Sequence, residues 1–213
     1  MPPTPPGVTA FDYAYEYQGQ PYEGYAAYPN GAQAQAPAVF IGHTWTGLGP
    51  MEKYRAQQMA ALGYVAFAPD IYGKGIRPTN DEDARKAMNN AEKNLTQFHE
   101  KLDLGVSLLK NLGKGPSVNS SALFGNGYCF GGQMVLELAR RGTPGLLAIS
   151  SFHGELGNLT SQANDRFGKI AVQVHHADLD YQKAAGLLNC EDELRSHNVE
   201  VWSTHKYGNC AHG

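Results

Sequence analysis

Six consecutive residues, Gly127-Tyr128-Cys129-Phe130-Gly131-Gly132, join a nucleophilic side chain to the glycines that a very sharp turn requires. They stand between a short apolar run, Ser121 to Gly125, and a helical stretch, Gln133 to Arg141. That is the strand–tight turn–helix setting in which G-x-nucleophile-x-G becomes a nucleophile elbow. The central residue of such a turn is strained, and glycine on either side avoids collision with the neighbouring strand and helix. A thiol at a helix N-terminus lies where the helix dipole and free N–H groups favour thiolate. A thiol nucleophile then needs a base, and the base an orienting acceptor. Both occur downstream. His175-His176-Ala177-Asp178-Leu179-Asp180 follows one apolar run, and Tyr207-Gly208-Asn209-Cys210-Ala211-His212-Gly213 follows another. Asp178 is the first candidate acid, with Asp180 a close second. His212, in a glycine-flanked loop, is the candidate base. His205 competes with it, but its place three residues after Trp202 suits a strand-end role. These groups would perform acyl transfer to sulfur and then to water. A metal set of His175, His176, Asp178 and Asp180 is disfavoured, because adjacent residues of an extended chain point to opposite sides. No metal and no cofactor are expected.

The chain that must position these groups has 213 residues, 42% of them hydrophobic, enough for one domain with a substantial core. A net charge of −3 without a Lys/Arg run argues against nucleic acid and anionic membrane as partners. No apolar run reaches membrane-spanning length, and the start, Met1-Pro2-Pro3-Thr4-Pro5-Pro6, lacks the charge and apolar core of a secretory signal. Cys129, Cys190 and Cys210 are too few for a disulfide framework, so a reducing cytoplasm is expected. Sequons at Asn94, Asn119 and Asn158 then read as chance matches.

Residues 1–10 read as a flexible tail and residues 11–213 as a single domain. Phe11 to Tyr17 carries an aromatic at every second residue, the period of a half-buried strand, and Gln18-Gly19-Gln20-Pro21 turns it toward Tyr22 to Tyr28. Beyond this antiparallel hairpin, short apolar runs alternate with helices. Strands are expected at Ala38 to Ile41, Tyr64 to Ala68, Ser121 to Phe124, Leu146 to Ser150, Ile170 to Val174 and Glu200 to Ser203. Helices are expected at Met51 to Leu62, within Asp81 to Leu112 with Asp81 as N-cap, and at Gln182 to Ser196. That alternation predicts an α/β fold, a mostly parallel sheet covered on both faces.

The elbow, the Ala177-Asp178 loop and the Tyr207 to Gly213 ending resemble the dienelactone hydrolase family of α/β-hydrolases. Val39-Phe40-Ile41-Gly42-His43-Thr44-Trp45-Thr46-Gly47 is similar to its first core strand and oxyanion loop, and Gly63 to Gly73 to its next strand and turn. The resemblance implies an α/β-hydrolase fold and a carboxymethylenebutenolidase-like hydrolase of lactones or activated esters. By position it makes Cys129 the nucleophile, Asp178 the acid and His212 the base, with the backbone N–H groups of Phe130 and Trp45 as oxyanion donors. Thr44, Tyr72, Arg77 and Phe152 are candidate substrate contacts, and the protein would be a monomer or homodimer. Thr44 stands where the best-known branch has an acidic residue. The C-terminal helix of the family is missing from this sequence, so His212 is expected to be frayed and a chain extended by such a helix to be more stable and active. The competing reading is a non-catalytic relative used for binding or protein interaction.

Overall fold

The computed structural model describes residues 2–31, 35–157, 159, 162–180 and 184–213. The alternating aromatics form β1 (Val8–Tyr17), which pairs antiparallel with β2 (Gln20–Pro29) from Val8↔Pro29 to Tyr17↔Gln20. Gln18 and Gly19 both have positive φ, 50° and 71°, the backbone of a two-residue hairpin that matches strand twist. The strand begins at Val8, inside the expected tail, because its pairing runs to Pro29. On the inward side Tyr13 meets Phe67 edge-on at 5.6 Å, and the Tyr15 hydroxyl donates to the Asp70 carbonyl (2.7 Å) and accepts from the Asp70 N–H (3.0 Å). The hairpin is thereby fastened to the end of the core strand that precedes Asp70.

The remaining strands are β3 (Ala36–Gly42), β4 (Val65–Ala68), β5 (Val118–Tyr128), β6 (Leu146–Phe152), β7 (Ala171–Ala177) and β8 (Trp202–Tyr207). The eight-stranded sheet has the order β1-β2-β4-β3-β5-β6-β7-β8, antiparallel at β1/β2 and β2/β4 and parallel throughout the rest. Helix α1 (Pro50–Ala61) covers one face, where Ala56 and Ala60 pack with Val39, Ile41, Ala66 and Tyr128. The other face carries α3 (Leu95–Lys110), α4 (Phe130–Arg140) and α5 (Ala184–Ser196), whose Phe98, Leu102, Met134, Val135 and Leu194 pack on Phe40, Phe67, Leu123, Ile149 and Val172. Helices on both faces of a mostly parallel sheet are the expected architecture.

Boundaries moved where pairing overrode side-chain pattern. β5 extends through Gly125, Asn126 and Gly127, which carry no apolar signal but pair with β3 and β6. β8 lies later than expected because Trp202 to Tyr207 pair with Val172 to Ala177, and its Ser203, His205 and Tyr207 lie on the more open side. The long polar region splits into α2 (Asp81–Glu92) and α3. Its N-cap is Asn80, not Asp81: the Asn80 side chain accepts from the Asp83 N–H (3.0 Å). Asn94, one of the sequons, caps α3 through the Gln97 N–H (3.1 Å). Asn158 and the first residues of the expected helix at Gln182 lie outside the described residues. Among the described residues no helix is long and apolar enough to cross a membrane.

Candidate active site

Between the last residue of β5, Tyr128, and the first of α4, Phe130, the entire turn is Cys129, at φ 55° and ψ −117°. Such backbone is unfavourable for a residue with a Cβ, and it persists only when its surroundings enforce it. Here they do so through the Cys129 N–H, which donates to the Phe152 carbonyl (3.0 Å), and the Cys129 carbonyl, which accepts from the Gly132 N–H (2.9 Å). The glycines are required by contact. A Cβ on Gly127 would lie 1.9 Å from the Gly131 oxygen, one on Gly131 would lie 2.1 Å from the Gly42 oxygen, and one on Gly132 would lie 2.5 Å from the Ser151 hydroxyl. Main chain from β3, β5 and α4 and the Ser151 side chain of β6 thus converge on the elbow, with no room for a methyl group at these glycines. Gly127→Ala is expected to destabilise the fold by at least about 3 kcal/mol, read as a lowered urea midpoint, because backbone rather than a flexible side chain must yield.

The Cys129 sulfur, a ring nitrogen of His153 and a ring nitrogen of His212 all lie within 4.8 Å of one another. His212 Nδ1 lies 2.7 Å from Asp180 Oδ2. A carboxylate accepts only, so this bond puts the proton on Nδ1 and leaves Nε2 with its lone pair. Of the two candidate acids it is Asp180, not Asp178, that meets His212. Asp178 instead pairs with Lys206 Nζ at 2.6 Å, and that ammonium holds its carboxyl below the ordinary carboxylate range. The cause lies in the turn. The Asp178 N–H donates to the Tyr207 carbonyl (2.9 Å), the Leu179 N–H to the Cys210 carbonyl (2.9 Å) and the Asp180 N–H back to Ala177 (3.1 Å). This turn and the last loop are laced together so that residue 180 meets His212. The Asp180 side chain is 10% exposed against 33% for Asp178, so the bond to His212 is the drier one.

His205 remains in β8, stacked on His175 at 5.2 Å, with its Nε2 near Ser203 Oγ (3.2 Å) and the Gln173 amide (3.3 Å). His175 contacts the Tyr207 hydroxyl through Nδ1 (2.7 Å), while its neighbour His176 is buried on the opposite side of β7. Together with the separate bonds of Asp178 and Asp180, this disperses the four-residue metal set considered above.

The loop after β3 is braced from three directions. Buried Glu52 accepts from the Thr44 N–H (3.0 Å) and the Gly49 N–H (2.8 Å). The Tyr72 hydroxyl donates to the Trp45 carbonyl (2.9 Å). His43 is fully buried, with Nδ1 2.7 Å from the Thr44 carbonyl and Nε2 accepting from the Ile71 N–H (3.2 Å), so it is a neutral Nδ1–H tautomer; burial holds its pKa below the ordinary value. Among the described residues no hydrogen bond uses the N–H groups of Trp45 and Phe130. Tyr72 stacks on Phe130 at 5.9 Å, and burial, followed by the charge of nearby Cys129, raises its phenol pKa.

The other expected contacts are placed differently. The Arg77 guanidinium bonds Asp70 Oδ2 (3.4 Å) and the carbonyls of Glu23, Gly73 and Ile76 (2.7–3.4 Å). Asp70 itself fixes the turn, accepting from the N–H groups of Tyr72 (3.0 Å) and Gly73 (3.1 Å). The Thr44 hydroxyl bonds Thr46 (2.9 Å). The Phe152 ring is stacked between Tyr128 (4.9 Å) and His175 (4.4 Å). Glu52 and His43 were not foreseen as parts of this brace, nor His153 as a member of a cluster with Cys129 and His212. Their signal was positional: His43 and His153 directly follow β3 and β6, at the carboxyl ends of parallel strands where sites form.

The dienelactone hydrolase family model matches residues 22–213. This chain belongs to the dienelactone hydrolase family. An Aquifex aeolicus protein named "Putative carboxymethylenebutenolidase" is 30% identical over 144 residues, which cover 66% of this chain and 59% of that protein. A Caenorhabditis elegans protein is 29% identical over 101 residues, 47% of this chain and 62% of its own length. The chain thus spans about six-tenths of these curated relatives. Among solved structures, a dienelactone hydrolase-like promiscuous phosphotriesterase from metagenomic libraries superposes with a TM-score of 0.84 at 26% identity, covering 97% of this chain and 84% of that one. An α/β hydrolase from a Medee basin deep-sea metagenome library shares the fold, with a TM-score of 0.66 at 18% identity over 97% of this chain and 84% of its own. Within the dienelactone hydrolase family, then, this member carries its elbow residue as cysteine and its histidine-bound acid at position 180.

Proposed function

We propose that this family member hydrolyses lactones or activated carboxylic esters through an acyl-thioester on Cys129. The observation that carries the reading is the strained thiol within 4.8 Å of a His212 ring nitrogen, with Asp180 2.7 Å from His212 Nδ1. In the first half-reaction His212 takes the Cys129 proton at Nε2 while Asp180 steadies the imidazolium, and the thiolate attacks the carbonyl carbon. The Phe130 and Trp45 N–H groups receive the oxyanion; loss of one such donor typically costs about 3 kcal/mol of transition-state stabilisation. Collapse breaks the C–O bond, and His212 gives its proton to the departing oxygen. In the second half, His212 deprotonates a water that attacks the thioester, and the thiolate leaves.

Thiolate is itself a good leaving group, so the first intermediate reverts unless the departing oxygen is also stabilised. Enol lactones and aryl esters meet that condition; simple alkyl esters and amides do not. A reducing cytoplasm suits a working thiol of this kind. The test is turnover of p-nitrophenyl acetate and of an enol lactone before and after iodoacetamide. Turnover that alkylation removes, and that saturating substrate protects, is the expected result. An intact protein inert toward every activated ester would favour the binding-protein reading.

A further inference from the structure

We propose that Cys129, His153 and His212 form a binding site for a thiophilic divalent cation, with Zn2+ as the probe, and that metal bound there shuts off hydrolysis. The metal site stands on geometry alone; only its inhibitory consequence rests on the hydrolase reading above. One thiol sulfur and two imidazole nitrogens lie within 4.8 Å of one another. Zn–S of about 2.3 Å and Zn–N of about 2.0–2.1 Å place tetrahedral ligands about 3.3–3.6 Å apart, so side-chain rotation of roughly 1 Å closes the set.

Two features favour closure on a metal. His212 has its Nδ1 held by Asp180 at 2.7 Å, the carboxylate–histidine arrangement that orients metal-binding imidazoles and raises their basicity. His153 is held at φ 41°, with its N–H on the His175 carbonyl (2.8 Å) and its ring edge-on to His212 at 4.6 Å. Its Nδ1 is buried without a hydrogen-bond partner among the described residues, so no hydrogen bond at that nitrogen dictates its tautomer. A buried polar atom left in this way is costly, and among the described residues the ring has no hydrogen bond at Nδ1 that a metal would have to displace.

Thiolate with two neutral imidazoles selects Zn2+ over Mg2+ or Ca2+, which prefer oxygen. Three protein ligands leave a fourth position for water. On binding, the thiol proton goes to solvent and a Zn–S bond forms, so the sulfur lone pair and the His212 Nε2 lone pair are both removed from catalysis. No electron is transferred.

The experiment is calorimetric titration of the intact chain with zinc chloride in a non-chelating reductant, repeated in two buffers of different protonation enthalpy. One Zn2+ per chain with proton release is expected, and no heat with Mg2+. His153→Asn, a residue that tolerates positive φ, is expected to weaken binding by more than about 100-fold, beyond what loss of an orienting partner alone costs. Cys129→Ser should do the same, and Cys210→Ser should bind as wild type. Circular dichroism shows which variants are folded, and either of the first two suffices. The zinc concentration that halves ester turnover should equal the calorimetric Kd. Absence of stoichiometric binding, or binding that survives both His153→Asn and Cys129→Ser, overturns the site. Stoichiometric binding by a protein inert toward esters would uphold the site while removing the hydrolase reading; hydrolysis without zinc binding would do the reverse.

Discussion

Asp180→Asn is expected to lower kcat for an activated ester by about 10⁴-fold, as loss of the orienting carboxylate does in a triad where geometry is otherwise preserved, while Asp178→Asn leaves turnover within about threefold. An amide at position 180 can donate to His212 Nδ1, which stabilises the tautomer with its proton on Nε2. That nitrogen then cannot accept from the thiol. It also removes the negative charge that steadies the imidazolium. Asp178 is engaged by Lys206 at 2.6 Å in an exposed pair, which typically contributes about 0–1 kcal/mol. Initial rates of the two purified variants, side by side with p-nitrophenyl acetate, decide the matter. Equal losses, or the larger loss at position 178, would refute the assignment of the acid.

Cys129→Ala is expected to remove the thioester pathway entirely, leaving at most the roughly 10³–10⁴-fold acceleration over water that oxyanion donors and binding supply in triad enzymes. A water attacking directly would still find His212 as base and the Phe130 and Trp45 N–H groups as donors to the oxyanion. The burst of p-nitrophenol expected with wild type at high enzyme concentration should be absent from this variant. Cys129→Ser is expected to recover little of the rate, since a hydroxyl in place of a thiol needs a stronger base than His212 provides.

The elbow was legible because its requirements are local. A single-residue turn between strand and helix needs glycine at 127, where an added Cβ would lie 1.9 Å from the Gly131 oxygen of the turn itself, and the glycines at 131 and 132 that let β3 and β6 approach stand beside it in the same motif. The parallel core and the aromatic hairpin were legible for a similar reason, the period of burial along single strands. The acid was not. Asp178 and Asp180 are both acidic, both in the loop after β7, and what separates them is lacing between that loop and the chain's last residues, a contact between distant segments. The pairing of Arg77 with Asp70, seven residues away across a turn, was hidden in the same way. The brace at Glu52 was hidden because a buried carboxylate that accepts two backbone N–H groups looks, in sequence, like any acid in the first turn of a helix. β5 and β8 were misjudged where glycine and polar residues pair as well as apolar ones do but leave no pattern.

The central claim is that acyl groups pass through the sulfur of Cys129. The most direct measurement is mass spectrometry of protein acid-quenched within the first turnovers of p-nitrophenyl acetate, followed by peptide mapping. The account predicts one acetyl group per chain on the peptide that contains Cys129, labile to hydroxylamine at neutral pH as a thioester is, absent in Cys129→Ala and accumulating further in Asp180→Asn relative to its own turnover. Turnover at the wild-type rate with no acyl group on Cys129, or with the label on Cys190 or Cys210 instead, would contradict it.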